Sequence, residues 1–591
     1  MQRNILKSFC IFLIVLLVLG MSGAVLSKSV DRQGPPLHAK YKADLILFNG
    51  KIVTVDSQFN IYQAVGIKGD KILAIGSNGE VLRYSGRNTE RYNLKGKTVL
   101  PGLIDSHTHM SGAARSEYFG EVFIPTSIEE MLNYAVEQSE ILGPGEWIYF
   151  PNTYPTRLLE YRFPTLEEVD EAAPNNPLLV HASYGVFANS YLMDMAGVDK
   201  DTPNPPGGVI VRDDDGNPTG LFTGAAQALV TTLRPTVPVN FDQSVEAIGM
   251  LQRRFNEVGI TSNIEGSNSL GSIAWYNELY NRGEMTVRTH YTFRPNNTLP
   301  EDTIINLINE IKAAPETPEE WGAVKYLKTT NDGGLLTGTA LMYEPWGELA
   351  SQIYGNPPDF RGTQSITPEN QFKIMTLARE TNLQYIAHNL GVRALDLMLD
   401  NLEAQHAISP LNEERHAVLH GNLTTPEQLQ RMADMNIALI AQPVWFYKDA
   451  PILAQVFGEE MIQNYLPYRT TLDMGVMVSG GSDLMIKHDP IHSVNPYDPW
   501  LGMWTMVTRH TEREPFTVTP EFAISREEAL RQYTINGAWM SFEENIKGSL
   551  EVNKLADMIV IDRDFLTIAE DEIRDIQVEM TIVGGKIVYT R

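Results

Sequence analysis

Val99-Leu-Pro-Gly-Leu-Ile-Asp-Ser-His-Thr-His109 is the stretch on which the reading of this chain turns. It reads as a short apolar strand that ends in two histidines one residue apart. Side chains at i and i+2 of a strand share a face, so His107 and His109 project side by side, with Asp105 just before them on that face. Two parallel imidazoles at a strand end are half of a metal site. The other ligands must come from later in the chain.

Downstream, short apolar strands alternate with amphipathic helices. The strands are Ile260–Glu265, Val287–Phe293, Ala323–Lys328, Gln384–His388, Ala417–His420, Ile437–Gln442 and Val476–Ser479, which with the opening strand make eight. Between them, Ser244–Val258 places Val245, Ile248, Leu251, Phe255 and Val258 at the helical period. Eight strands alternating with helices predict an α/β chain built on a (β/α)8 TIM barrel over residues 99–544. Residues 111–243 are too long for one strand-to-helix connection. Their apolar Pro177–His181 and Pro/Gly-rich Asp201–Arg212 predict an insertion after strand 1, with its own small sheet over the catalytic face.

The two chain ends share a β texture. Asp44–Gly50 and Val65–Gly76 alternate like strands around Asn49-Gly50 and Gly69-Asp70, and Ala556–Asp562 and Thr581–Tyr589 have the same form. Residues 43–98 and 545–591 are therefore expected to form one composite β-sandwich domain. Asn49-Gly-Lys-Ile-Val and Gly584-Gly-Lys-Ile-Val predict similar hairpins at both ends.

Arg3 and Lys7 precede the apolar run Phe9–Leu19, and Ser22 and Ala24 fit a cleavage site. Residues 1–24 read as a signal peptide and 25–42 as a linker, so the chain is expected to be exported, to the periplasm or beyond the cell. Left uncleaved, the segment would anchor it; after cleavage no membrane partner is expected. The single cysteine, Cys10, lies in this segment, so the mature chain has no disulfide. The formal charge of −26 argues against a nucleic-acid partner, whose phosphates would be repelled. A small-molecule substrate is expected, and homo-oligomers are left open.

Most of the 12 histidines need no function. Position separates a few. His388 closes one expected strand, His420 another, and Gly480-Gly-Ser-Asp483 follows the last. Barrel active sites form at the carboxyl ends of the strands. The first, fifth, sixth and eighth strands thus bring His107, His109, His388, His420 and Asp483 to one rim. Four imidazoles and a carboxylate suit Zn2+ or a similar divalent ion, one or two per chain. A lysine at the end of an interior strand is costly if charged and unpaired. Lys328, with Lys325 as the second choice, could instead carry a carbamate and bridge two metals.

With these residues in view the chain resembles the amidohydrolase superfamily, and within it the branch similar to N-substituted formamide deformylases, over about residues 43–588. Ala196–Gly208 and Asp332-Gly-Gly-Leu-Leu-Thr-Gly-Thr-Ala resemble that branch specifically, and the latter marks Lys328, as N6-carboxylysine, as the fourth-strand bridge. The resemblance implies metal ligation by His107, His109, Lys328, His388, His420 and Asp483, with Asp483 as the catalytic proton carrier. Three positions depart from the branch: Tyr184 stands where a histidine is usual, Val392 where an acid is usual, and Ala417 begins a segment that lacks the usual Arg-x-Glu. The expected activity is hydrolysis of a C–N bond in an amide or cyclic amide by metal-activated water. An ester, lactone or phosphoester on the same core, and a non-catalytic binding protein, are the alternatives. Tyr184, Glu265 and Trp500 are the expected substrate-pocket residues.

Overall fold

The computed structural model describes residues 41–236 and 238–591. The expected signal peptide, and all of the expected linker except residues 41 and 42, lie outside the described residues. The eight expected strands form one parallel sheet: β1 (Leu103–Thr108), β2 (Ile260–Asn268), β3 (Arg288–Phe293), β4 (Val324–Thr330), β5 (Gln384–Asn389), β6 (Ala417–His420), β7 (Ala438–Ala441) and β8 (Val478–Gly480). Each strand pairs with its predecessor, as short connections require. The seam between first and last is bridged just beyond β8. There the Asp483 N–H donates to the His107 carbonyl at 2.8 Å and the His109 N–H to the Leu484 carbonyl at 2.7 Å. This is the expected (β/α)8 barrel.

Its interior is filled by alternate residues. Ile264, Tyr326, Ile386, Leu419 and Ile440 pack on one another and on Met540, from helix Ile535–Met540. Burying each aliphatic side chain contributes roughly 1.5–3 kcal/mol. The layer also sets the phase of each strand, and so decides which later residue faces inward.

The opening stretch is two strands, not one. Thr98–Pro101 belongs to a six-stranded sheet with 51–53, 61–62, 558–561, 578–583 and 586–590, and β1 belongs to the barrel. The chain crosses between sheets at Gly102, where a methyl group would stand 2.2 Å from Thr261 Oγ1. A four-stranded sheet of 45–48, 64–68, 71–76 and 90–93 faces the six-stranded one. Leu45, Val65 and Ile67 from one sheet and Val99, Met558 and Ile582 from the other share a core. The chain ends thus build one sandwich. The two Gly-Lys-Ile-Val phrases differ, however. Gly584-Gly585, both at positive φ, turn a hairpin. Asn49-Gly50 instead passes the chain from one sheet to the other, because Leu94 packs directly over Gly50.

Residues between β1 and β2 hold a separate sheet in the order 208–212, 218–224, 185–188, 178–181, 148–150. The end of its strand 178–181 and its loops carry His181, Tyr154, Ser183 and Tyr184 to the barrel mouth. Among the described residues no helix is long and apolar enough to cross a membrane.

A buried ion pair ties sandwich to barrel. Arg288, at the start of β3, donates Nε to Asp557 Oδ2 at 2.7 Å and Nη2 to Oδ1 at 3.1 Å, and Gly584 N–H also bonds Asp557 Oδ1. Asp557→Ala leaves the guanidinium buried and unpaired, and should cost about 3–5 kcal/mol of stability, whereas the double change Arg288→Met/Asp557→Leu should recover most of it. Denaturant titration checks both; equal losses in the single and double variants would show that the pair does not hold the junction.

Candidate metal centre

Alternation places the first ligands. Tyr326 and Ile386 face the barrel interior, so Lys328 and His388, two residues further along the same strands, do too. Lys325 falls on the outer face and pairs with Glu319, which removes it as a bridging candidate. Parity alone would turn His420 outward, since Leu419 faces in. A backbone φ of 75° turns its ring back to the interior, and Asp483 has φ 55°. Left-handed backbone is strained for both residues and is tolerated where the surroundings hold it. At the end of β2, Gly266 leaves room for the His107 ring; a methyl group there would lie 2.2 Å from His107 Cε1.

The side chains converge. Asp483 Oδ1 lies 3.2 Å from His107 Nε2 and 3.4 Å from His109 Nε2. Lys328 Nζ is 3.4 Å from His107 Nε2. The His388 and His420 rings are 4.7 Å apart, and His420 is 5.6 Å from His107, centroid to centroid. Neighbouring groups set the tautomers. Gln442 donates its amide NH2 to the Ile440 carbonyl, so its Oε1 accepts from His420 Nδ1 at 2.7 Å and leaves Nε2 with a free lone pair. His388 Nε2 donates to the Gly333 carbonyl at 3.1 Å, which leaves Nδ1 free.

Burial dominates the electrostatics. It lowers the pKa of His107 and His420 well below the usual imidazole value, that of His109 to about 3 and that of His388 to about 4, with the Lys328 charge adding to it. All four rings are neutral at pH 7, as metal ligands must be. Burial also lowers Lys328 to about 8 and raises Asp483, the latter opposed by His109 and Lys328. Burial pushes the Tyr184 hydroxyl far up, so it stays a donor.

A cavity of about 340 Å3 opens over these groups. Leu335, Leu336, Leu390, Trp445 and Met485 give it apolar walls. Tyr184 lies in it, with Oη 3.3 Å from His388 Nε2. Two other expected pocket residues are elsewhere. Glu265 follows the inward-facing Ile264 and so faces out, where it accepts from Ser111 N–H at 2.9 Å and from the Ser111 and Tyr276 hydroxyls. It braces the helix that begins after His109. Trp500 is buried on helix Pro499–Thr508 against Phe565, outside the cavity. Of the three departures from the branch, only Tyr184 reaches the cavity. Val392 opens the helix after β5, and Ala417 lies in the barrel's inner layer.

Three further residues at the site, Trp445, Asp332 and Arg294, do not stand out in the sequence pattern. Trp445 lines the cavity, stacked on His420 at 4.9 Å and 12°; Pro443, marking a helix start just after β7, points to that segment. Asp332 sits 3.8 Å behind His388 and accepts three backbone N–H groups, from Leu341, Leu390 and Gly391. Arg294, the first residue after β3, stands at the cavity rim and donates to Thr330 Oγ1 at 3.3 Å.

The donor set fits a divalent metal. Ligand atoms of His107, His109 and Asp483 all lie within 4.8 Å of one another. With His388 and His420 beside them, neutral nitrogen donors and a carboxylate line one pocket, the combination zinc and its neighbours prefer.

Known proteins carry this architecture. A model of the amidohydrolase family matches residues 90–589. The chain is 30% identical over 555 residues to N-substituted formamide deformylase of Arthrobacter pascens, spanning 93% of this chain and 98% of that protein. It is 28% identical to Protein LONG AFTER FAR-RED 3 of Arabidopsis thaliana, over 93% and 92% of the two chains. A metal-dependent hydrolase structure from Pyrococcus horikoshii superposes with a TM-score of 0.65 at 21% identity, covering 89% of this chain and 99% of that one. An atrazine chlorohydrolase variant of Arthrobacter aurescens, complexed with zinc and atraton, does so with a TM-score of 0.50 at 14% identity, covering 92% and 95%. The family model runs from the last strand of the four-stranded sheet through the whole barrel to the closing hairpin, and this chain belongs to the amidohydrolase family.

Proposed function

We propose that this protein hydrolyses the C–N bond of a small N-substituted amide, with an N-substituted formamide as the first substrate to test. The observation that carries the reading is the convergence of His107, His109, His388, His420 and Asp483 beneath an apolar-walled cavity at the barrel mouth. The activity of the Arthrobacter pascens relative supports the amide over an ester. His107, His109 and Asp483 would hold one divalent ion, and His388 and His420 a second, with Lys328 as a carbamate between them. Zinc is supported by the donor set and by the zinc bound in the atrazine chlorohydrolase variant.

When bound, the metal would polarise the carbonyl and make water acidic enough to attack near neutral pH. The chain supplies the rest. Asp483, with Oδ1 turned to the imidazoles, takes the proton of the attacking water and delivers it to the leaving nitrogen. Tyr184, kept protonated by burial, donates to the carbonyl oxygen. Trp445 and Leu390 cover the substituent on nitrogen and keep bulk water out.

Zinc-loaded protein should release formate and benzylamine from N-benzylformamide, lose that activity on chelation and regain it on adding zinc. Asp483→Asn should lower kcat by about 10²–10⁴-fold, the usual worth of a positioned acid–base group. A variant that keeps near-full rate would remove Asp483 from the proton path. Lys328→Ala should reduce bound metal, measured by plasma emission, from two equivalents to one. Unchanged stoichiometry would make Lys328 an ordinary buried amine.

A further inference from the structure

Three polar side chains outside the chemistry above, two of them buried, are joined to it by hydrogen bonds. Asp449, on helix Pro443–Met461, has no exposed side-chain surface and accepts from Arg157 Nε at 3.1 Å and Nη2 at 2.9 Å. Arg157 belongs to the insertion, in the helical turn Pro155–Arg157, and its side chain is 12% exposed. Its remaining nitrogen, Nη1, donates to Asn495 Oδ1 at 3.0 Å and to the Val494 carbonyl. Asn495, in the loop after β8, donates through Nδ2 to the Asp483 carbonyl at 2.7 Å and, at 3.4 Å, to Asp483 Oδ2. The guanidinium thus settles which way the Asn495 amide points: oxygen to Arg157, NH2 to Asp483.

Asp483 requires such a hold. Its backbone is left-handed, at φ 55°. Its N–H is taken by the His107 carbonyl, and its C=O and Oδ2 by Asn495. Only Oδ1 is left to face His107 and His109. A charge pair with one partner fully buried is an expensive way to dock an insertion, and apolar side chains of the same size would serve that end better. The third nitrogen of Arg157, spent on Asn495, is what a docking role does not call for.

We infer that Arg157 is a positioning residue. Held by Asp449, it orients Asn495, and Asn495 fixes the carboxylate of Asp483 in its working direction. The insertion therefore completes the proton carrier as well as covering the cavity. The inference rests on the reading of Asp483 as that carrier.

Arg157 also lines a groove of about 900 Å3 beside the insertion, so a small cation can reach its place from solvent. In full-length, zinc-loaded Arg157→Ala, assayed with N-benzylformamide, kcat should fall by about a hundredfold, the cost of a misplaced reacting group. KM should hold, because Arg157 does not line the cavity, and the assay is run at saturating zinc because Asp483 is also read as a ligand. Millimolar guanidinium should restore much of the lost rate. Arg157→Lys should not, because an ammonium cannot reproduce the fork. Asn495→Ala keeps the ion pair, and should lower kcat to a similar degree should Arg157→Ala fail to fold. A kcat close to wild type in Asn495→Ala, or a loss in Arg157→Ala that guanidinium leaves untouched, would overturn the inference. If the wild-type protein does not cleave the amide, the proposed function fails by itself. The crystal structure of Arg157→Ala then decides this point: a turned Asp483 carboxylate supports it, and unmoved Asn495 and Asp483 overturn it.

Discussion

The seam where the last barrel strand meets the first is the constraint on which the site depends. Two backbone hydrogen bonds cross it, between Asp483 and His107 and between His109 and Leu484. Three of these four residues, His107, His109 and Asp483, are the candidate metal donors, so the contacts that close the barrel also bring those side chains together. Asp105 reinforces the seam from beneath, accepting from Ser482 N–H at 3.0 Å, Ser482 Oγ at 2.6 Å and His107 N–H at 3.1 Å. Gly481 permits the approach, since a methyl group there would stand 2.8 Å from His107 N. Bringing such distant segments together costs chain entropy, and the cost is met by the apolar layer below.

Burial then determines the chemistry. In a site walled from water, an imidazole is cheaper neutral than charged, and a neutral imidazole is a ligand. Two of the rings have their proton fixed by a neighbour. Gln442 takes that of His420 and the Gly333 carbonyl that of His388. The protein carries a formal charge of −26, yet Arg294, Lys328 and the imidazoles leave the cavity itself poor in acid. The acid excess therefore lies outside the cavity, whose lining holds Asp483 as its one carboxylate.

The two additions to the barrel have separate work. The sandwich unites the chain ends and is locked to β3 by Arg288 and Asp557. The insertion walls the cavity with Tyr154, Ser183 and Tyr184, and reaches through Arg157 into the loop that holds Asp483. One joins the chain ends; the other lines the cavity.

Much of this was legible in the sequence. Alternating apolar runs announced eight strands, and chemistry-bearing residues stood at their ends in order: His107 and His109, Lys328, His388, His420, Asp483. That much is local, because strand period and strand end are written in neighbouring residues. Tertiary structure decided what depends on register and on distant partners. Whether Lys328 or Lys325 faces inward, and why Glu265 faces out, follows from the phase set by Ile264 and Tyr326. His420 escapes its own parity through a left-handed backbone that its strand pattern does not reveal. Asn49-Gly50 has the letters of a hairpin, but Leu94 over Gly50 makes it a crossing between sheets. Trp445 and Trp500 both lie on helices that follow barrel strands, and only packing tells which one meets His420. Arg157 finds Asp449 across a separation of 292 residues, a pairing no local pattern encodes because it exists only after the insertion has docked on the barrel.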